Sequence, residues 1–136
     1  MRRVLWLWGP VALYLGLIFL LSSLSHPLGP IQLGHFDKVA HFSEYAMLGA
    51  LLARGLSGTL NRRWPWYGFA LLAAGLAAFY GLTDEFHQRF TPGRDPSLWD
   101  ATADALGALT GAGLWMRFGR RLAREGGPCY IPERDG

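Results

Sequence analysis

A single cysteine among 136 residues, Cys129, excludes an intramolecular disulfide and any CxxC metal or redox pair. Charge is scarce as well. Asp, Glu, Lys and Arg make up 17% of the chain against roughly 25% in a typical soluble domain, while 51% is hydrophobic and 14% aromatic. The common catalytic signatures are missing. No HExxH, GxSxG or Walker A sequence occurs, so a helix-borne zinc peptidase, a serine-hydrolase elbow and a phosphate-cradling loop have no anchor here. The 13 Lys and Arg exceed the 10 Asp and Glu by a net +3. These cations cluster at the ends of apolar stretches instead of forming a basic patch, which reads as membrane topology and not as nucleic-acid binding.

What the chain does have is four apolar segments, and a bilayer crossing needs about 20 mostly apolar residues. The first, Val4 to Leu24, carries no charge and is interrupted early by Gly9 and Pro10. Ser23, Leu24 and Ser25 loosely fit a signal cleavage site, but the apolar run exceeds a usual signal core, so a retained spanning helix is expected. The second runs from about Asp37 to Leu56, the third from Trp64 to about Phe90, and the fourth from about Ser97 to Phe118. Each of these three is polar at one end. The expected fold is all-α: a polytopic membrane protein with four transmembrane helices in one bundle over residues 1–118. A basic, poorly ordered cytoplasmic tail over 119–136 would follow.

Lys and Arg are enriched in cytoplasmic loops, which sets the orientation. With the N-terminus inside, the inner side collects Arg2, Arg3, Arg54, Arg62, Arg63, Arg117, Arg120, Arg121, Arg124 and Arg134, and only Lys38, Arg89 and Arg94 remain outside. Trp6, Trp8, Trp64, Trp66 and Trp115 fall at the inner interface and Trp99 at the outer one. Both termini are therefore expected in the cytoplasm, with the polar ends of the last three helices facing outward.

Helical spacing then says which residues share a face. Asp100, Asp104, Gly107 and Gly111 line one side of the fourth helix, and Gly107 with Gly111 makes a GxxxG that serves close packing within the bundle or between chains. On the third helix Ala70, Ala74, Ala77, Gly81, then Asp84 or Glu85, then Gln88 repeat the pattern. The second places His41, Tyr45, Gly49 and Ala53 at intervals of four, with Glu44 alongside. Asp37, Glu44, Asp84, Glu85, Asp100 and Asp104 thus gather opposite only Lys38, Arg89 and Arg94, with His41 or His87 if protonated. Carboxylates at bilayer depth cost about 2.5 kcal/mol or more each, so the surplus calls for protonation, a bound cation or a basic ligand.

Asp37, Lys38, His41, Phe42, Tyr45 and Leu48, then Asp84, Glu85, Gln88, Phe90, Pro92, Gly93 and Arg94, then Asp100, Asp104 and Gly107, resemble the VanZ-like family of integral membrane proteins over about residues 5–118. Asp104 stands where many relatives carry Asn. The resemblance implies a four-helix membrane protein, associated through its namesake with low-level resistance to the glycopeptide teicoplanin.

Three readings follow from these residues. In the first, an outer, acid-rich site binds an envelope lipid, a lipid-linked cell-wall precursor or an amphiphilic glycopeptide through Asp37, Lys38, His41, Glu44, Tyr45, Asp84, Glu85, Gln88, Arg94, Asp100 and Asp104, with Arg94 held over it by the Pro92 to Pro96 turn. In the second, a membrane-embedded enzyme uses Glu85 or Asp84 as base and His41 as acid on a lipid-linked substrate, with Lys38 and Arg94 clamping an anionic group. Its variant places a divalent metal on Asp37, His41, Glu44 and Glu85, although no cofactor is otherwise evident. The third is a buried network that fixes helix register, at about 0.6 kcal/mol per contact. Asp37 and His41 would then be a helix-start pair, and His26 and His35 plain loop residues.

Overall fold

Four α-helices follow one another in the computed structural model: α1 Arg2–Ser22, α2 Phe36–Thr59, α3 Trp66–Gln88 and α4 Leu98–Leu114, the last running on into a π-helical turn at Trp115–Gly119. The structure describes residues 1–24, 36–60, 64–92 and 97–119, with the side chains of residues 36 and 37 excepted. No strand occurs among the described residues, whose regular structure is all helical. Helix ends differ from the sequence expectation by a few residues, as the capping shows. Pro65 precedes α3 and holds the extended backbone that starts it, and the Ser97 hydroxyl accepts the Trp99 N–H at 3.2 Å to cap α4. The tail from residue 120 onward lies outside the described residues.

Interhelical bonds give the topology. Arg3 donates to the Gly58 carbonyl and the Tyr14 hydroxyl to that of Glu44, so α1 and α2 run antiparallel. Pro10 explains a third tie. It has no N–H to give the Trp6 carbonyl four residues back, and Arg54 of α2 donates to that oxygen at 3.0 Å while stacking on the Trp6 ring. The Tyr80 hydroxyl reaches the Leu15 carbonyl at 2.9 Å and His87 meets Ser23, which sets α3 parallel to α1. Helix α4 lies parallel to α2, its most extensive neighbour. The starts of α2 and α4 and the ends of α1 and α3 therefore share one end of the bundle.

Glycine brings α2 and α4 together backbone to backbone. A Cβ on Gly107 would fall on the Phe42 carbonyl, one on Gly111 on that of Ala46, and one on Gly49 on that of Ala108. The GxxxG of α4 is thus used inside the chain, against α2. Around this seam Tyr45, Leu48, Phe69, Ala73, Ala77, Ala108 and Ala112 form the core, with Val11 and Ile18 from α1 at its margin.

The exterior is apolar. Leu5, Leu13 and Leu20 of α1, Met47 of α2, Leu71 and Phe79 of α3, and Leu106 and Leu114 of α4 are all exposed. The helices α1 and α3 are each long and apolar enough to cross a membrane, and both leave most of their residues outside the core. Helices α2 and α4 do not meet that mark: α2 opens with charged turns, and the α-helical part of α4 has 17 residues before the π turn continues it.

Candidate functional site

The end shared by the starts of α2 and α4 and the end of α3 holds the polar interior. The parallel register of α2 and α4, fixed by the glycine seam, pairs their first turns rung by rung. Lys38 Nζ lies 3.1 Å from Asp100 Oδ1, and one turn further in His41 Nδ1 lies 3.0 Å from Asp104 Oδ1. Asp104 is 1% exposed. It fits because Gly81 of α3 faces it: a Cβ there would stand 3.0 Å from Asp104 Oδ2 and 3.1 Å from Tyr45 Cε1. That Oδ2 and the Tyr45 hydroxyl, on a completely buried side chain, find no hydrogen-bond partner among the described residues.

From α3, two successive acids both turn inward. The spacing left Asp84 and Glu85 as alternatives, yet both are buried, because they lie on a helix surrounded by α2 and α4 at this end. Gln88 donates to Asp84 Oδ2 at 2.8 Å, and the Ser97 backbone N–H donates to Glu85 Oε2 at 2.9 Å. The start of α4 therefore positions Glu85. No side-chain pattern announces that bond, since its donor is main chain and lies 12 residues away. On the α1 side His87 stacks on Phe19, with ring centroids 5.0 Å apart.

The site residues singled out by sequence are placed as follows. Lys38, His41, Tyr45, Asp84, Glu85, Gln88, Asp100 and Asp104 converge on this end. Glu44 is half-buried, and its carbonyl receives the Tyr14 hydroxyl. The Asp37 side chain, Arg94, His26 and His35 lie outside the described residues. Two differences from the sequence expectation matter. Lys38, expected to clamp an anionic group with Arg94, is engaged by Asp100. The metal-type group that converges among the described residues is His41, Glu85 and Asp104, each with one donor atom within 4.8 Å of the others. Asp104 joins it because parallel packing sets α4 opposite His41.

Four buried acids, Asp84, Glu85, Asp100 and Asp104, thus face Lys38, a permanent cation, and the imidazole of His41, a cation only when protonated, among the described residues. Chemically, the arrangement suits a cation or a hydrogen-bond donor better than an anion.

The family model described as VanZ/LLP1 matches residues 7–119, which takes in most of α1, the whole of α2, α3 and α4, and the polar end. The chain belongs to the VanZ/LLP1 family. No curated protein and no solved structure matches it. Membership of VanZ/LLP1 and two helices of spanning length and apolarity together support a membrane protein.

Proposed function

We propose that this VanZ/LLP1 protein is a four-helix polytopic protein of the bacterial cytoplasmic membrane, with both termini in the cytoplasm. Its acid-rich end opens to the outer face, where it binds an envelope amphiphile. The observation that carries this reading is the inverted distribution of polarity. Asp84, Glu85, Asp100, Asp104, His41 and Gln88 are inside, while Leu, Phe and Trp are exposed on α1 and α3, Leu and Trp on α4, and Val39, Phe42 and Met47 on α2, the reverse of what a water-soluble bundle requires. Helices α2 and α4 share this apolar exterior although their charged or short α-helical segments keep them below the spanning mark. Arg2, Arg3, Arg54 and Arg117 lie at the end opposite the acids, as expected if that end is cytoplasmic.

A cation-seeking site at the outer leaflet suits an occupant that brings amine or hydroxyl donors, whether an envelope lipid, a lipid-linked precursor or a glycopeptide, and a contribution to teicoplanin resistance follows from the last. The hydrogen-bonded His41 and Asp104 beside Glu85 support a second reading, a membrane-embedded enzyme working on a lipid-linked substrate, which turnover by the purified protein would separate from binding. The primary test uses Arg89→Cys in a Cys129→Ser background, since Arg89 is exposed at the acid end. An impermeant maleimide should label it in intact cells, and teicoplanin or a lipid-linked precursor added outside should slow the labelling. Labelling only after permeabilisation contradicts the outer-face reading.

A further inference from the structure

We propose that His41, Glu85 and Asp104 form a binding site for one divalent transition-metal cation, with Zn²⁺ the best match. The proposal deepens the reading of the acid end as a binding site and rests on it only for access from outside. Three helices supply one donor each, α2 through His41, α3 through Glu85 and α4 through Asp104, and these donors lie within 4.8 Å of one another. Tetrahedral zinc, with bonds of about 2.0–2.1 Å to nitrogen and oxygen, holds its donors about 3.3 Å apart. His41 Nδ1 and Asp104 Oδ1 already stand at 3.0 Å. Small movements of the helix ends bring the third donor in.

A cluster of acids alone would not single out a metal. Two further features do. Asp104 Oδ2 and the Tyr45 hydroxyl are buried without a partner among the described residues, and Asp104 Oδ2 and the Tyr45 ring edge meet at Gly81. A cation on the carboxylate draws charge from that oxygen, and a water held by the cation donates to the hydroxyl oxygen. The imidazole then selects among cations. Mg²⁺ and Ca²⁺ prefer all-oxygen shells, and an organic ammonium gains nothing from a nitrogen donor that a carboxylate does not supply better, whereas one nitrogen with two carboxylates is a transition-metal set. Three protein ligands leave a fourth position open, the arrangement that lets a bound zinc take a water or a ligand oxygen. One divalent cation also offsets most of the excess of Asp84, Glu85, Asp100 and Asp104 over Lys38.

The test takes the full chain in detergent, stripped with a chelator and repurified, and adds Zn²⁺ alone, with Mg²⁺ as the comparison. Elemental analysis after gel filtration should find one Zn²⁺ per chain and no retained Mg²⁺, and the melting temperature should rise with Zn²⁺ because the cation ties three helix ends together. His41→Gln and Asp104→Asn should each weaken Zn²⁺ binding by about tenfold or more, and Asp100→Asn, outside the donor set, should retain it. Wild-type protein that holds no Zn²⁺ overturns the site, whatever the variants do. So does Zn²⁺ that is lost with Cys129→Ser, which assigns it to the thiol, or Zn²⁺ that His41→Gln holds as tightly as wild type. A chain without metal that still shows ligand-slowed labelling at position 89 fails this proposal and leaves the receptor reading intact. A metal-bound chain labelled only after permeabilisation supports the site and fails the outer-face reading.

Discussion

Helix α1 and the α2–α4 pair are held by different means. The pair meets backbone to backbone across Gly49, Gly107 and Gly111, where there is no space for a single added carbon. Helix α1 rests on side chains: Trp8 lies against Gly55 and Leu7 against Gly58, tyrosine hydroxyls reach across to main-chain oxygens, and Arg54 fills the gap Pro10 leaves. A Cβ added to its own Gly9 or Gly16 would meet nothing within 4 Å. The pair also carries His41 and Asp104, while α1 brings no charged side chain to the polar end. Tight, glycine-based packing thus falls on the pair that carries the buried polar side chains, and α1, held by side-chain contacts, presents a mostly apolar surface.

Breaking the seam should have the largest effect. Gly111→Ala sets a methyl on the Ala46 carbonyl and must push α2 and α4 apart, with an expected loss on the order of 3 kcal/mol, the upper end for overpacking, read as a fall in melting temperature in detergent. Asp104→Leu comes next. It removes the partner of His41 in a buried place, at a cost of about 1–3 kcal/mol, whereas Asp104→Asn keeps an acceptor and should melt close to wild type. Tyr80→Phe deletes the bond to the Leu15 carbonyl, worth about 0.6 kcal/mol. Amide exchange should accelerate in α1 and stay unchanged in α4. Smallest is Gly113→Ala, two residues from Gly111 with nothing within 4 Å, which should be neutral or raise the melting temperature slightly through helix propensity. Equal losses from Gly111→Ala and Gly113→Ala would erase the contrast.

The same contrast explains what was legible in the sequence. Helices α1 and α3 stand out by apolar length alone, and the spacing of Asp100, Asp104, Gly107 and Gly111 places acids and glycines on one face, where the structure has all four buried. Helix α2 shows its buried face in His41, Tyr45, Gly49 and Ala53 for the same reason, the 3.6-residue period. Partners across helices were not legible. Lys38 meets Asp100 and His41 meets Asp104 over more than 60 residues of chain, a register set by how deeply Gly107 and Gly111 seat against Phe42 and Ala46. For that reason the metal-type group that gathers among the described residues takes in Asp104, which reading along the chain does not include, while the Asp37 side chain lies outside those residues. Hydropathy, for its part, marks the helix with the least chemistry most strongly and passes over the two whose starts carry it, because a helix that brings acids into a bundle is lowered in the average by those acids.

The central claim is that the acids are gathered to hold an occupant and not to hold the fold, and Glu85→Gln in the metal-free protein tests it most directly. Gln keeps an oxygen for the Ser97 N–H while removing one charge from a crowd of four buried carboxylates. Thermal unfolding in the same detergent and pH should show a melting temperature equal to or above that of the unmodified chain, because relieving crowded like charges offsets any lost ion pairing. A marked fall would make the cluster a structural staple and contradict the account.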